Sequence, residues 1–308
     1  MENDDVIITS AFRTAIGSFN GSLSSKTAPE LGSTVIKKCI ENSEIKKEEV
    51  DMVYMGQVLS AGVGQNPARQ ASIYAGLPNT TTNTTINQVC GSGLASIALA
   101  YNSIRCGDGN IIIAGGQESM SNAPHYIKLR KGEKVNEDKI KDTMIIDGLW
   151  DVYNEYHMGT TAENVAEKFN IKRQDQDKFA LNSQEKAIKA IKEKKFINEI
   201  VPVEINNNIY FEQDEHPREN TSIEKLSELK TTFKKDGTVT PGNSSGINDG
   251  AAAVCLMTFE NVKKKKIKPL AKIVSWAQCG VDPSIMGTGP IPASKLALKK
   301  AGWDIKEL

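Results

Sequence analysis

Apolar residues in the first 120 positions switch between strand-like runs and helical spacing, which predicts alternating strands and helices. Short β-branched and apolar runs predict strands over residues 5–10, 50–58, 82–89 and 110–114. Between these runs, helices are predicted over residues 29–42, 67–75 and 91–105. Such alternation is typical of an α/β domain with a mostly parallel sheet covered by helices.

The pattern changes between residues 122 and 249, where polar, irregular stretches alternate with helices. Thr160 and Glu163 have the spacing of a capping box, so we predict that a helix opens there and continues to residue 169. Two further predicted elements are a charged amphipathic helix at 174–195 and an edge strand at 200–205, which contains Pro202. Because loops on a rigid scaffold often carry function, we interpret this region as an inserted loop domain that binds a ligand.

The apolar run at 251–257 has the composition of a buried strand, which we expect to rejoin the first sheet. Residues 270–276 and 293–301 predict the opening strand and helix of a second α/β unit, whose apolar helix face would need a partner. The sequence therefore predicts a core domain at residues 1–121 with 250–268 and an inserted loop domain at residues 122–249. The start of a second core domain is predicted at residues 269–308.

Composition argues against several classes of protein. Lys and Arg together number 38, as do Asp and Glu, so no net charge attracts nucleic acid or an anionic membrane, and we expect neither as a partner. No apolar run approaches the roughly 20 residues of a membrane-spanning helix. The acidic N-terminus is unlike a secretory or organellar presequence, which predicts a cytoplasmic protein. The lysine run at 263–266 is interpreted as a solvated surface connection.

The 5 cysteines are scattered, odd in number and without Cys-x-x-Cys spacing. This pattern argues against a disulfide framework or a zinc site and favours a reducing compartment. Cys39, Cys106 and Cys255 lie in apolar patterns, so we predict that each is a small core residue.

Cys90 differs from the other cysteines because it lies at a predicted sharp turn between a strand and a helix. Backbone N–H groups and the helix dipole at such a position favour a thiolate and can hold a developing oxyanion. Gly91 and Gly93 would let a substrate approach the backbone closely. Taken alone, a Cys-Gly-Ser-Gly run is more often a buried structural cysteine, so its interpretation depends on the rest of the chain.

The run Asn87-Gln88-Val89-Cys90-Gly91-Ser92-Gly93 closely resembles the nucleophile region of the thiolases. Further matches to the family follow in order at residues 6–17, 64–70, 115–121, 156–164, 242–252 and 286–293. The resemblance implies a thiolase-like layered α/β/α fold with an inserted loop domain and an incomplete second α/β unit. It also implies CoA thioesters as substrates, with no further cofactor and no metal.

In thiolases the cysteine matching Cys90 attacks an acyl-CoA and forms an acyl-enzyme, which a second acyl-CoA then attacks in a ping-pong scheme. The run His157-Met158-Gly159 resembles short-chain members. The resemblance therefore implies reversible condensation of two acetyl-CoA to acetoacetyl-CoA plus CoA. It also implies a homodimer or homotetramer, since family members pair through their core sheets and the basic segment 128–134 resembles their tetramer loop.

The resemblance also assigns substrate contacts. His157 and Met158 match residues that line the acyl pocket and contact CoA, and Ser245 matches a serine that touches pantetheine. Arg218 matches an arginine near the adenosine-phosphate end, and Leu149 matches a residue on the adenine side. Without the resemblance, the sequence predicts only a turn residue at Ser245 and surface side chains at Arg218 and Leu149.

Three family motifs are absent from the 308 residues: an Asn-Glu-Ala-Phe run, a Gly-His-Pro run and a Cys-x-Gly-Gly-Gly run. They carry the asparagine for a catalytic water, the activating histidine and the second cysteine. Neither His125 nor His216 has a flanking feature that indicates a catalytic base, and Glu118 is interpreted as a structural residue. We therefore expect these 308 residues to react at Cys90 without measurable turnover.

Three alternatives stay open at this point. One is a non-catalytic, truncated CoA-binding homologue, which the missing motifs favour. Another is a 3-ketoacyl-CoA thiolase of broader chain length. The third is a ketoacyl synthase, against which the His-Met-Gly and Gly-Asn-Ser-Ser-Gly runs argue.

Overall fold

Residues 1–132 and 134–308 are described by the computed structural model, and they fall into two packing units. The first unit comprises Met1–Gly148, Ile197–His216 and Ile247–Ile273, and the second comprises Leu149–Phe196, Pro217–Gly246 and Val274–Leu308. The boundaries of these packing units differ from those of the predicted domains, which were residues 1–121 with 250–268, residues 122–249 and residues 269–308. The predicted domain boundaries stay a prediction. Within the basic segment 128–134, Glu133 lies outside the described residues.

Strands and helices alternate over the first 120 residues, as predicted. The strands are β1 (Val6–Thr14), β2 (Gly17–Ser18), β3 (Met52–Gly56), β4 (Thr82–Ile86), β5 (Ile111–Ser119), β6 (His125–Tyr126), β7 (Lys141–Asp142), β8 (Trp150–Asp151), β9 (Tyr156–His157), β10 (Ile200–Val201), β11 (Val203–Asn206), β12 (Ile209–Phe211), β13 (Asn248–Thr258) and β14 (Ala271–Lys272). The α-helices are α1 (Ala28–Asn42), α2 (Pro67–Tyr74), α3 (Ser92–Cys106), α4 (Met158–Lys168), α5 (Arg173–Lys192), α6 (Ile223–Ser227), α7 (Phe259–Lys265) and α8 (Pro290–Ala301).

The first unit is built on a mixed sheet with the strand order β10-β1-β13-β5-β3-β4. Along this order, β10, β1, β5, β3 and β4 run in the same direction, which agrees with the expectation of a mostly parallel sheet. The exception is β13, which lies antiparallel between β1 and β5. The apolar run at 251–257 therefore rejoins the first sheet, as predicted, and occupies its centre.

Helices cover both faces of this sheet because alternate strand residues point to opposite sides. Ile7, Ile113 and Cys255 belong to one buried cluster, together with apolar residues of α1 and α2. Their sequence neighbours Val6 and Ile112 belong to a second buried cluster that includes residues of α3. The first unit is thus a layered α/β/α arrangement, as expected.

Two predicted strands differ from their expected form. Pro202 divides the predicted strand at 200–205 into β10, which pairs with the end of β1, and β11, which forms a hairpin with β12. Proline lacks the N–H group that a continuous ladder would need at that residue. The strand predicted at 270–276 is shortened to β14, which pairs with β1 in the first sheet instead of opening a sheet of its own. Because β10 pairs only with Arg13 and Thr14, the start of β1 is left to pair with β14, and the carbonyls of Ile8 and Val6 accept from the N–H groups of Leu270 and Ile273 at 2.9 and 3.0 Å.

The lysine run at 263–266 is more ordered than a surface connection. Lys263, Lys264 and Lys265 form the last turn of α7, where positive charge is favourable to the helix dipole. Lys264 pairs with Glu260 at 2.7 Å, and Lys265 pairs with Glu49. Lys263 and Lys264 are exposed, as predicted for a surface position, whereas Lys265 is half-buried. The prediction did not include the helical conformation of these residues.

In the second unit, α8 is the helix whose apolar face was expected to need a partner. None of its residues is fully buried. Ser275 donates to the carbonyl of Ala297 at 2.7 Å, and the Lys300 ammonium donates to the carbonyl of Trp276 at 3.0 Å. Polar contacts to the preceding segment thus hold this helix. Among the described residues, no helix is both long and apolar enough to cross a membrane.

Candidate active site

Cys90 lies in a sharp turn between β4 and α3, as the sequence predicts. The turn is closed by backbone hydrogen bonds from Gly91 N–H to the Gln88 carbonyl at 3.0 Å and from Ser92 N–H to the Val89 carbonyl at 3.1 Å. The Ser92 hydroxyl reinforces it by accepting from Gln88 N–H at 2.8 Å and donating to the Val89 carbonyl at 2.6 Å. Cys90 itself is exposed, so its sulfur is open to a substrate.

Val89, directly before the nucleophile, has a left-handed backbone with φ of 47°. This conformation is sterically unfavourable for a β-branched side chain and costs roughly 1–3 kcal/mol. The side chain of Asn87 helps to hold it, since its Oδ1 accepts from Val89 N–H at 2.9 Å. Strained backbone of this kind clusters at functional sites, and here it directly precedes the exposed Cys90.

Glycines allow the first turn of α3 to lie directly on the sheet. A Cβ on Gly56 would lie 2.6 Å from both the carbonyl carbon and Cβ of Ser92. A Cβ on Gly116 would lie 3.5 Å from the Cα of Gly93. On the other side, a Cβ on Gly93 would meet no atom within 4 Å. The start of α3 is therefore packed closely against the sheet, while the space around Gly93 is open, which leaves room for a substrate beside Cys90.

The other cysteines have different environments. Cys39 and Cys255 are buried, as predicted, and burial raises the pKa of the Cys39 thiol to about 12 and raises that of Cys255 as well. The prediction for Cys106 is wrong, because this residue is exposed at the last position of α3. Cys90 and Cys106 are thus exposed thiols at opposite ends of one helix, of which Cys90 is at the N-terminal end.

Glu118 on β5 has a structural environment, in agreement with its interpretation from the sequence. Its carboxylate accepts from the N–H groups of Val58 and Leu59 at 2.8 and 3.1 Å. Burial raises its pKa, and the two hydrogen bonds oppose that increase. The carboxylate therefore fixes the loop that follows β3.

In the second unit, His157 caps the N-terminus of α4. Its Nδ1 accepts from Gly159 N–H at 3.0 Å, which requires the neutral ring with the proton on Nε2. The predicted capping box at Thr160 is therefore wrong, since α4 begins at Met158 and Thr160 lies inside it. Histidine is an uncommon cap, so a rule based on Ser, Thr, Asp and Asn does not find it.

Phe233 completes the environment of His157. The two rings are stacked with centroids 4.7 Å apart and an interplanar angle of 15°. A Cβ on Gly159 would lie 2.1 Å from the Phe233 ring, so glycine is needed for the rings to approach. Phe233 is not among the site residues predicted from the sequence. Its signal was weak, a lone aromatic residue in a polar loop that is distant in sequence from its partner.

Arg218 lies beside a groove of about 560 Å³ on the C-terminal half of α5. Its backbone N–H donates to Gln184 Oε1 at 2.7 Å, and its side chain is exposed. Lys189 and Lys192 also line the groove, together with acidic residues, of which Glu219 pairs with Lys192. The groove therefore presents both cationic and anionic groups to a ligand.

The other predicted contacts also lie in the second unit. Ser245 is exposed in the turn before β13, Met158 is the half-buried first residue of α4, and Leu149 is the half-buried last residue of a π-helical turn, Met144–Leu149. All five predicted substrate contacts thus belong to one packing unit and Cys90 belongs to the other. Among the described residues, no group of three or more His, Cys, Asp or Glu side chains is arranged to hold a metal ion.

We expect the free energy of unfolding to decrease as the pH falls below 6.5, the ordinary value for histidine. Burial lowers the pKa of His157 in the folded protein, so the unfolded chain binds the proton first. The stability contributed by the neutral ring is complete above 6.5 and is lost as the pH falls through the lower, folded pKa. Denaturant unfolding between about pH 5 and pH 8 measures this slope.

The variant His157→Asn keeps a capping side chain that does not titrate, so its pH slope should be smaller. The matched control is Ser222→Asn, because Ser222 caps α6 and neither side chain titrates, so this variant should keep the wild-type slope. An unchanged slope in His157→Asn would contradict the assignment.

Comparison with known proteins places this fold and site in a family. Residues 6–260 match the thiolase N-terminal domain and residues 267–308 match the thiolase C-terminal domain. The chain is 53% identical over 309 residues to a protein named acetyl-CoA acetyltransferase from Cupriavidus necator, covering 99% of this chain and 79% of that protein. A protein of the same name from Allochromatium vinosum is 50% identical over 311 residues, with coverage of 99% and 79%.

A solved structure shows the same architecture. The crystal structure of the Bacillus anthracis acetyl-CoA acetyltransferase superposes with a TM-score of 0.95 at 40% sequence identity, covering 98% of this chain and 77% of that one. Both family domains match in order, and relatives at half identity or more align along nearly the whole chain. The chain therefore belongs to the thiolase family.

Proposed function

We propose that this protein is an acetyl-CoA C-acetyltransferase, in which Cys90 carries the acetyl group between two CoA thioesters. The observation that carries the proposal is the exposed thiol of Cys90 on a strained turn at the N-terminus of α3. Relatives that bear the name acetyl-CoA acetyltransferase and align over 99% of the chain support the choice of substrate.

In the first half-reaction, the sulfur of Cys90 attacks the thioester carbonyl of acetyl-CoA. A new carbon–sulfur bond forms to Cys90, the bond to the CoA sulfur breaks, and the thiol proton of Cys90 leaves with the CoA thiol. The positive end of the α3 dipole stabilises the oxyanion that develops on the carbonyl oxygen. In the second half-reaction, another acetyl-CoA loses a proton from its α-carbon, and this carbon attacks the acetyl carbonyl. A carbon–carbon bond forms, the bond to the Cys90 sulfur breaks, and the sulfur takes up a proton to restore the thiol as acetoacetyl-CoA leaves. The reverse reaction uses the same acyl-enzyme.

The proposed substrate contacts are Leu149, His157, Met158, Arg218 and Ser245. The stacked ring of Phe233 beside His157 supports a restricted pocket, which favours short acyl chains. The groove beside Arg218 supports binding of the adenosine-phosphate end, because a guanidinium suits both stacking and phosphate. We propose that CoA thioesters are used without a further cofactor or metal.

The test is acetyl transfer to Cys90. We expect incubation with acetyl-CoA to add one acetyl group to the peptide that contains residue 90, as measured by mass spectrometry, with release of CoA. A long-chain acyl-CoA should label this peptide much more slowly. Equal or faster labelling by the long-chain compound would instead support a thiolase of broader chain length. No labelling of this peptide, in folded protein that binds CoA, would support a non-catalytic CoA-binding protein.

We also propose that the protein is a cytoplasmic homodimer or homotetramer. The edge position of β4 supports this, because an edge strand offers unpaired backbone groups to another chain. Val89 and Leu94, which follow β4, are 48% and 78% exposed and add apolar area nearby. Sedimentation velocity at micromolar concentration should show a dimer or tetramer, and a monomer alone would contradict the proposal.

A further inference from the structure

Three carboxylates in the second unit are buried, those of Asp151, Glu163 and Asp177, and the last two have partners in one segment. Glu163 on α4 is 4% exposed and Asp177 on α5 is 2% exposed. A buried carboxylate is costly unless several donors satisfy it, so the partners of these two groups indicate what they stabilise. Both have partners in the segment of residues 231–246.

Glu163 holds the middle of the 231–246 segment. Its Oε1 accepts from the N–H groups of Thr238 and Val239, both at 2.8 Å, and its Oε2 accepts from the Thr238 hydroxyl at 2.8 Å. A Cβ on Gly237 would lie 2.3 Å from Oε1, so glycine leaves room for the carboxylate. Three donors from two adjacent residues thus surround one charge.

Asp177 holds the C-terminal part of the same segment. Its Oδ1 accepts from Asn243 Nδ2 at 3.0 Å, and its Oδ2 accepts from Arg173 Nε at 2.7 Å. Asn243 in turn donates to the Thr238 carbonyl at 3.0 Å and accepts from Thr240 N–H at 2.8 Å. The two carboxylates are therefore connected to one hydrogen-bonded loop.

The loop carries two groups at the proposed CoA site. Thr232 N–H donates to the Val239 carbonyl at 3.1 Å, which couples the residues held by Glu163 to the neighbouring Phe233. Phe233 stacks on His157, and Ser245 follows Asn243 by two residues. A shift of Val239 or Asn243 would therefore move a residue that faces the substrate.

We propose that Glu163 and Asp177 are positioning residues for CoA binding, which act by fixing the 231–246 segment with Phe233 against His157 and with Ser245 in place. The inference rests on the proposed function, since it takes His157 and Ser245 as CoA contacts. Neither carboxylate touches the substrate in this arrangement. Their effect is on affinity, while the reactivity of the Cys90 thiol is independent of them.

The experiment compares CoA affinity among isosteric variants of the whole protein by calorimetry. Glu163→Gln and Asp177→Asn each replace an acceptor with a donor, so we expect the Kd of CoA to rise about tenfold or more. The rate of Cys90 alkylation by iodoacetamide without CoA should stay at the wild-type value. In NMR spectra, the His157 ring protons should lose the upfield shift that the stacked Phe233 ring causes.

Glu167→Gln is the matched control. Glu167 lies one turn further along α4 and pairs with Lys234 of the same segment at 3.0 Å, but its side chain is 73% exposed. An exposed pair contributes little, so this variant should bind CoA as the wild type does. Thr238→Val is a milder second variant that removes one donor to Glu163, and it should raise the Kd in the same direction by a smaller factor.

An unchanged Kd and unchanged His157 shifts in folded Glu163→Gln would overturn the inference. Loss of alkylation together with loss of affinity would also overturn it, because it would show a general structural role. Failure of acetyl transfer in the wild type is a separate result. If the wild type binds CoA and Glu163→Gln weakens that binding, the positioning role stands even where Cys90 accepts no acetyl group.

Discussion

Replacing Cys90 with alanine should abolish acetyl transfer, and Cys90→Ser should slow it by about 10⁴-fold or more. The alanine variant has no nucleophile at the start of α3, so no acyl-enzyme can form there. A serine hydroxyl can occupy the same position, but it is a far weaker nucleophile without an activating base. The measurement is the single-turnover rate of CoA release from acetyl-CoA, together with the mass of the peptide that contains residue 90.

Cys106→Ala is the control for this experiment, because Cys106 is also exposed but lies at the C-terminal end of the same helix. It should retain the wild-type rate. Both alanine variants should keep a free energy of unfolding within about 0.5 kcal/mol of the wild type, since surface substitutions usually change little. CoA release by Cys90→Ala near the wild-type rate would show that another residue is the nucleophile.

The alternating elements of the first unit could be predicted because their signals are local. The helix expected at 29–42 is α1 (Ala28–Asn42), and its apolar spacing alone indicates the face that packs on the sheet. The strand at 251–257 was expected to rejoin the first sheet and does so as β13. Its antiparallel direction could not be predicted, because a continuous apolar run carries no information on direction.

Other features do not follow from apolar periodicity. The strand predicted at 82–89 ends at Ile86, because the side chains of Asn87 and Ser92 hold the following residues in a turn. The left-handed backbone of Val89 opposes its intrinsic preference, so only the surrounding structure explains it. Cys106 lies in an apolar pattern, yet the end of the helix is exposed.

The candidate site could likewise be predicted only where its sequence signal is local. The turn at Cys90 has a local signal in its glycines and the helix that follows. By contrast, the stack of Phe233 on His157 joins segments that are distant in sequence, and the clearest trace it leaves is the glycine at position 159. The roles of Leu149, His157, Met158, Arg218 and Ser245 as CoA contacts stay predictions, which the binding experiments above can test.

Gly56→Ala should destabilise the protein and slow the chemistry at Cys90, although Gly56 is not itself at the site. A Cβ at this position would lie 2.6 Å from Ser92 Cβ and 2.8 Å from Gly93 N. The strand cannot move away, because β3 is paired on both sides, with Gly56 opposite Ile86 of β4 and Gly116 of β5. The start of α3 must therefore move.

Overpacking of this kind costs about 1–3 kcal/mol, which exceeds the roughly 0.4–1 kcal/mol gained when alanine restricts the unfolded chain. A displacement of about 1 Å at the nucleophile can cost about 10²-fold in rate, so acetyl transfer should fall by that order. Denaturant unfolding and the rate of CoA release measure the two effects. Gly280→Ala is the matched control, since a Cβ there meets no atom within 4 Å and its φ is not left-handed. Wild-type stability and rate in Gly56→Ala would show that the close packing of α3 on β3 does not position Cys90.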